Sequence, residues 1–323
     1  MGLLRFLRHG FDAQTNDLVR GVLRHPLVSG YRLLRQLSRD DEQERRLLLR
    51  NLALGLPDRV AGAYARELDF LAGCGEEDYP LMPYAWRTDV STSSVEAGID
   101  DASGLPYVCH DGRRLYFPKP MSVEAVKRDY LYFTEDEGIL GTGRRTVSPH
   151  AYVDADFRVE PDDVLVDIGC SDGLFAFHNA PVAKRLYLFE AWDRWLPGLK
   201  RSFAPYADKT RIFAKYVSSR DGGDEITLRH AVEEPEGTRY FLKMDIEGAE
   251  RAVLEASADF LRRNKVKLSC CVYHRQDDAE VITRMLEGLG FRCRFSEGYM
   301  LPLFNGIRFP YFRHGVVYAR NDD

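Results

Sequence analysis

The chain has no pair of cysteines at C-x-x-C spacing. Its six cysteines, at 74, 109, 170, 270, 271 and 293, give neither a zinc pattern nor a disulfide framework. Buried thiols in a reducing, cytoplasmic setting fit them better. No apolar run reaches about 18 residues, so no membrane-spanning helix is expected. The start lacks a secretory apolar region, and Phe6 stands where a lipidation signal after Met1-Gly2 would want Ser or Thr. Lysine is scarce, nine against 36 arginines, with none before Lys119. The net charge is −5 and the pI about 6.0, which argues against a broad nucleic-acid surface. A G-x-G-x-x-G dinucleotide fingerprint is missing, as are repeats and low-complexity tracts.

Other features are plentiful. Apolar residues make up 45% of the 323 and aromatics 12%, enough for a large core and a smaller companion region. The stretch Val164-Leu165-Val166-Asp167-Ile168-Gly169-Cys170-Ser171-Asp172-Gly173 reads as a buried parallel strand running into a glycine loop. Leu174 to Phe177 then starts a helix. This is the plan of a nucleotide-type site in a doubly wound sheet. The spacing is D-x-G-x-x-x-G, with an acid at the strand end. A carboxylate there would repel a pyrophosphate and suits a ligand bearing an ammonium and a sulfonium, as S-adenosylmethionine does. Seventeen residues after Gly173, a second strand, Leu186 to Phe189, ends in Glu190, a carboxylate that could accept from both ribose hydroxyls.

Further on, strands are expected over Arg211–Val217, Tyr240–Asp245 and Val266–His274, with a short extra one at Ile226–Leu228. Helices are expected from Ala249 to Leu261 and from about Asp277 to Leu289. Phe291–Ser296 and Gly315–Ala319 should close the sheet as an antiparallel pair. The alternation gives an α/β fold with a doubly wound, mainly parallel sheet. Residues 1–75 read as a helical N-terminal region. Its first fifty residues hold 10 Arg against 6 Asp plus Glu, so peripheral contact with an anionic membrane is an alternative to a plain solvated bundle. Residues 76–150 read as a linker, a hairpin turning at Asp111-Gly112, a helix capped by Ser122, and a flexible segment around Gly138, Gly141 and Gly143. Residues 151–323 form the ligand-binding domain.

VLVDIGCSDG, LYLFEA and FLKMDIEGAERAVLEA together resemble the FkbM-type methyltransferases, over about Ala151 to Asn321. The resemblance implies a class I, Rossmann-like methyltransferase fold and S-adenosyl-L-methionine as cofactor. It also implies methyl transfer to a hydroxyl of a sugar, glycan or secondary metabolite. The cofactor residues it points to are Asp167, Gly169, Cys170, Ser171, Gly173, Glu190, Ala191 and Trp192. Ala191 departs from the family, which often has proline there, and Pro181 shortens the helix after Gly173. Trp192 could lie against adenine or in the core.

Catalytic candidates cluster at strand ends, where open parallel sheets keep their sites. Asp245 is the leading polar residue. Lys243 shares its face of the strand and could orient a carboxylate or hold a substrate oxygen. Glu247 could be base, metal ligand or helix cap, and Glu250 could favour the helix N-terminus. His274 could be a general base or a satisfied structural group. Asp245, Glu247 and His274 could also hold a hard divalent ion, though no spacing is diagnostic and a metal is not favoured. Tyr130, Tyr132, His150 and Tyr152 are substrate-side candidates. Two rivals stand: an inactive cofactor-binding module in a glycan-assembly complex, and an NAD-dependent oxidoreductase, disfavoured by the missing fingerprint. Acceptor and oligomeric state are not encoded in any motif.

Overall fold

The computed structural model describes residues 42–74, 83, 90–139, 148–302 and 308–322. The helices expected before residue 42, with their basic face, and Gly141 and Gly143 lie outside the described residues. The chain forms two compact units. One comprises the residues up to Ala85 with Tyr273–Asp277 and Gly298–His314; the other comprises Trp86–Val272, Asp278–Glu297 and Gly315–Asp323.

In the first unit, α1 (Glu42–Leu54), α2 (Asp58–Ala61) and α3 (Ala65–Gly73) follow one another closely. Leu48, Leu49, Leu52 and Ala53 of α1 and Leu71 of α3 pack with Leu301, Tyr311 and Phe312. Arg50 closes the α1–α3 pair by donating to the carbonyls of Leu71 (3.0 Å) and Cys74 (2.9 Å).

The second unit starts with a three-stranded antiparallel sheet of β1 (Ala97–Ile99), β2 (Pro106–His110) and β3 (Arg113–Tyr116). The Asp111-Gly112 hairpin forms as expected, both residues taking positive φ (49° and 73°). β1 falls in the stretch read as linker. Its three residues, Ala-Gly-Ile, are too short for any alternation to register. α4 (Val123–Asp136) follows, its first turn capped by the Ser122 hydroxyl, which accepts from the Ala125 N–H.

The large sheet contains seven strands: β4 (Val164–Ile168), β5 (Arg185–Phe189), β6 (Thr210–Phe213), β9 (Arg239–Met244), β10 (Lys265–Cys271), β11 (Arg292–Phe295) and β12 (Val316–Arg320). Between β6 and β9, β7 (Tyr216–Val217) and β8 (Glu225–Ile226) form a separate pair. The sheet order is β11-β12-β10-β9-β4-β5-β6, parallel from β10 to β6, with β12 antiparallel to both of its neighbours. The order reverses between β4 and β9, which is where such sheets hold their ligands. β4 and β9 are buried on both faces, hence the apolar runs Val164–Val166 and Tyr240–Leu242, which Asp167 and Lys243 interrupt as a facing pair.

Several expected boundaries move. The strand read over Arg211–Val217 breaks after Phe213, and Leu228 begins a short helix, α7 (Leu228–Ala231), rather than ending a strand. β10 stops at Cys271, because Val272 already bonds to Gly315 and the chain then leaves for the other unit. The helix read over Ala249–Leu261 is two, α8 (Glu250–Ala256) and α9 (Ala258–Arg263), divided where Ser257 leaves helical geometry (φ −96°, ψ 5°).

Candidate active site at the strand ends

Gly169 and Cys170 both donate their N–H groups to the Phe189 carbonyl at the end of β5 (3.0 and 3.1 Å). Asp245, just beyond β9, donates to the Ile168 carbonyl (3.1 Å). The glycine loop is thus stitched to both neighbouring strands. Gly169 has φ 77°, and a Cβ there would lie 2.0 Å from the Asp245 carbonyl oxygen, so no other residue fits without moving backbone. Gly173 (φ 79°) starts the helix α5 (Leu174–Asn179), where a Cβ would meet Leu199 of α6 (Leu196–Ser202) at 2.6 Å. The Asp172 carboxylate accepts from the Leu174 N–H (2.7 Å) and caps that helix.

Glu190 closes the loop from the β5 side. Its carboxylate accepts from the Ser171 N–H (2.9 Å) and the Trp192 N–H (2.6 Å). A carboxylate has about four acceptor positions, so this one is oriented with capacity left for a diol. Ala191 is half-buried. Trp192 is 61% exposed with the Arg194 guanidinium 4.9 Å from its ring, which removes the core alternative for that tryptophan. Cys170 is buried, and burial, reinforced by Asp167 and Glu190, holds its thiol well above the usual range, leaving it neutral and unreactive.

Asp167 and Lys243 face each other from adjacent strands. Both are buried, with Nζ 3.2 Å from the Asp167 carboxylate and 2.6 Å from the Gly169 carbonyl, to which it donates. Burial pushes Asp167 up, and Lys243 partly offsets this. Burial would lower Lys243, but Asp167, Asp245 and Glu137 outweigh it and keep the ammonium charged. Of the two roles open to Lys243, orienting a carboxylate is the one this geometry fits. Asp167 holds the loop through that lysine and is itself fully enclosed.

On the other side of Asp245 lies a chain of polar groups. Asp136, the last residue of α4, accepts from His150 Nδ1 (2.7 Å). His150 Nε2 lies 3.2 Å from the Tyr152 hydroxyl, 3.5 Å from the Asp245 carboxylate and 3.4 Å from Cys271 Sγ. The Tyr152 hydroxyl donates to Asp245 (2.9 Å). The segment is fixed from the sheet: Ser296 Oγ donates to the Pro149 carbonyl (2.5 Å), Tyr318 to the Ala151 carbonyl (2.7 Å) and Ser269 to that of Tyr152. Burial works against protonating His150, yet Asp136, Cys271 and Asp245 outweigh it and hold its pKa well above the usual value. The ring is therefore an imidazolium bridging two carboxylates.

Two further acids, Asp172 and Glu137, lie nearby, and burial holds both toward the neutral form. Burial, with Leu174 and Lys243 opposing it, pushes Asp172 up to about 7. Burial and then Asp172 hold Glu137 well above the carboxylate range, and one of its oxygens has no hydrogen-bond partner among the described residues.

Two of the four substrate-side candidates, His150 and Tyr152, thus join Asp245. Tyr130 is buried with its hydroxyl on His110 (2.9 Å), and Tyr132 is exposed. Glu247 sits on the exposed loop after β9 at φ 56°, and Glu250, the first residue of α8, accepts from the Ile246 N–H of that loop (3.0 Å). His274 belongs to the other compact unit and is buried, its ring against that of Tyr273 (centroids 4.3 Å apart). Asp136, Glu137 and Cys271 carry no motif. One signal was present: Glu135, Asp136 and Glu137 crowd a helix C-terminus, where the dipole disfavours acids and a compensating partner is required.

No curated protein matches the chain. Residues 201–293 match the family model of the Methyltransferase FkbM domain, a span holding Lys243 to Glu250 but not the glycine loop. Among solved structures, the methyltransferase FkbM from Methylobacillus flagellatus KT is 19% identical, over 63% of this chain and 56% of that one, with a TM-score of 0.42. The chain therefore spans little more than half the length of that protein. The precorrin-6y C5,15-methyltransferase of Geobacter metallireducens GS-15 is 14% identical over 52% of this chain and 85% of its own, with a TM-score of 0.34. A Streptococcus mutans protein in complex with SAH is 15% identical over 50% and 91%, also at 0.34. The resemblance to the FkbM methyltransferases is thus shown where the family model matches, over residues 201–293, within a Rossmann-like α/β fold whose seven-stranded sheet is mainly parallel.

Proposed function

We propose that this protein binds S-adenosyl-L-methionine on the glycine loop and transfers its methyl group to a hydroxyl of a small-molecule or glycan acceptor. The observation that carries this reading is Glu190, whose carboxylate is oriented by two backbone N–H groups beside a D-x-G-x-x-x-G loop on the adjacent strand. Glu190 takes the ribose diol. Gly169, Cys170, Ser171 and Gly173 supply the close backbone, with Asp167 and Lys243 fixing it from below. Ala191 and Trp192 border the adenine. When bound, the cofactor supplies an electrophilic methyl carbon.

Asp245 is the base in this reading. It is more exposed (18%) than Asp136, His150, Tyr152 or Cys271, and a carboxylate oriented by Tyr152 and by the His150 imidazolium can receive the hydroxyl proton. Methyl transfer is a direct displacement, so alignment supplies much of the rate. His274 and Glu247 have no step in this scheme, and none requires a metal.

Calorimetry tests the reading. Glu190→Ala should weaken S-adenosylmethionine binding by about 1.5–3 kcal/mol, the scale of hydrogen bonds to a charged group. Unchanged affinity in the variant, or tight binding of NAD by the wild type, would overturn it.

A further inference from the structure

A second polar cluster lies at the hairpin, outside the Asp245 network. His110 ends β2, Asp111 occupies the β2–β3 turn, and His178 is on α5, the helix that the glycine loop feeds. His110 Nε2 is 2.9 Å from His178 Nδ1. The Asp111 carboxylate oxygen lies 3.4 Å from the first and 3.6 Å from the second. Three ligand atoms of the right chemistry thus form a closed triangle.

The size of that triangle is informative. Zinc binds nitrogen and oxygen at about 2.0–2.1 Å in tetrahedral geometry, so neighbouring ligand atoms stand about 3.3–3.4 Å apart. The three observed separations bracket that edge. The state of the ligands also suits a metal. A neutral imidazole offers one ring nitrogen lone pair, and a carboxylate offers oxygen. His110 Nδ1 meets the Tyr130 hydroxyl of α4 at 2.9 Å, a partner that fixes ring orientation and tautomer as in known zinc sites. The ring is buried, while Asp111 and His178 are 42% and 34% exposed, leaving one side open to water as a fourth ligand. Arg113 sits 3.9 Å from the same carboxylate but is tied to the Phe177 carbonyl (2.7 Å) and the Tyr206 hydroxyl (3.0 Å).

We infer that His110, Asp111 and His178 form a binding site for Zn²⁺ or a similar divalent transition ion, which clamps the β2–β3 hairpin to α5. The ion would hold the start of the chain's second unit against the helix whose first turn shapes the cofactor loop.

The test uses the full chain stripped by a chelator and titrated with Zn²⁺ at neutral pH, with bound Co²⁺ read by its absorption. Wild type should bind Zn²⁺ and gain thermal stability from it. His178→Ala and Asp111→Asn change partly exposed side chains and should fold, as circular dichroism checks, yet bind Zn²⁺ more than about 100-fold more weakly. Tyr130→Phe should weaken it about 10–100-fold. His150, Asp245 and Cys271 also bring three ligand atoms together, so His150→Ala serves as the control and should keep the ion. A wild type that takes up no Zn²⁺ overturns the proposal and leaves a plain bond between two imidazoles. So does an ion that survives in folded His178→Ala or disappears in His150→Ala.

Discussion

Lys243 and Asp167 decide more about this protein than any solvent-facing pair. Each is enclosed by strands, and each is held against the cost of burial in part by the other. Exposed pairs such as Arg284–Glu280 are screened and contribute about 0–1 kcal/mol. A buried pair gains little over an apolar replacement, but removing one partner strands a charge. Lys243→Met should therefore cost about 3–5 kcal/mol in urea unfolding. Adding Asp167→Asn should recover much of that loss, because no uncompensated charge remains. Recovery of stability without recovery of cofactor binding would show that the pair's value lies in holding the Gly169 carbonyl, to which Lys243 donates. A single variant as stable as wild type would mean that the pair does not stay charged.

At the scale of elements, the glycine loop shows how geometry and sequence constrain each other. Two glycines at positive φ make a useful contrast. At Gly112 a Cβ would meet nothing within 4 Å, so alanine there brings only backbone strain. At Gly169 it would overlap the Asp245 carbonyl at 2.0 Å. Gly112→Ala should lower stability by about 1 kcal/mol, at the bottom of the range for strained residues. Gly169→Ala should exceed about 3 kcal/mol and abolish cofactor binding, because β4 and β9 must separate. Thermal melts and calorimetry on the two variants check this, and equal losses would remove the special role given to Gly169. The loop was legible because it combines a run of buried valines, an acid and two spaced glycines, all local features. β1 was not, being three residues without alternation. Nor was the break between α8 and α9, since Ser257 is no strong helix breaker and tertiary packing sets the local geometry there. The candidate site was half legible for the same reason. Asp245 and Glu190 end recognisable strands. Asp136 and Glu137 reach the site from the end of α4, about a hundred residues upstream of Asp245, and no periodicity signals such a meeting.

Over the whole molecule, the least legible feature is how the chain assembles its first unit. The apolar stripes of residues 47–71 announce helices, but not what they cover. Their partners are Leu301, Tyr311 and Phe312, more than two hundred residues later. The Tyr64 ring stacks on Phe312 (4.5 Å, 21°) and meets Tyr299 edge-on (4.7 Å), while Glu67 accepts from the Tyr299 N–H (3.2 Å). The excursions 273–277 and 298–314 leave and re-enter the unit that holds the seven-stranded sheet, so both of their ends are anchored in that sheet's strands and helix. The helical region is consequently not a removable appendage. A chain begun at residue 90 keeps Leu301, Tyr311 and Phe312 but loses the side chains that bury them. Exposed apolar clusters of this kind drive association. The truncated chain should therefore aggregate or bind a hydrophobic dye, whereas the full chain should do neither. Within the full chain, Phe312→Ala should cost about 3–5 kcal/mol, as expected for a fully packed aromatic. Size-exclusion chromatography and dye binding on the truncation, with urea melts on Phe312→Ala, separate the two effects. A truncated chain that runs as a clean monomer, with wild-type melting and cofactor affinity, would show that residues 298–314 pack well enough without the helices and that the first unit is dispensable to the second.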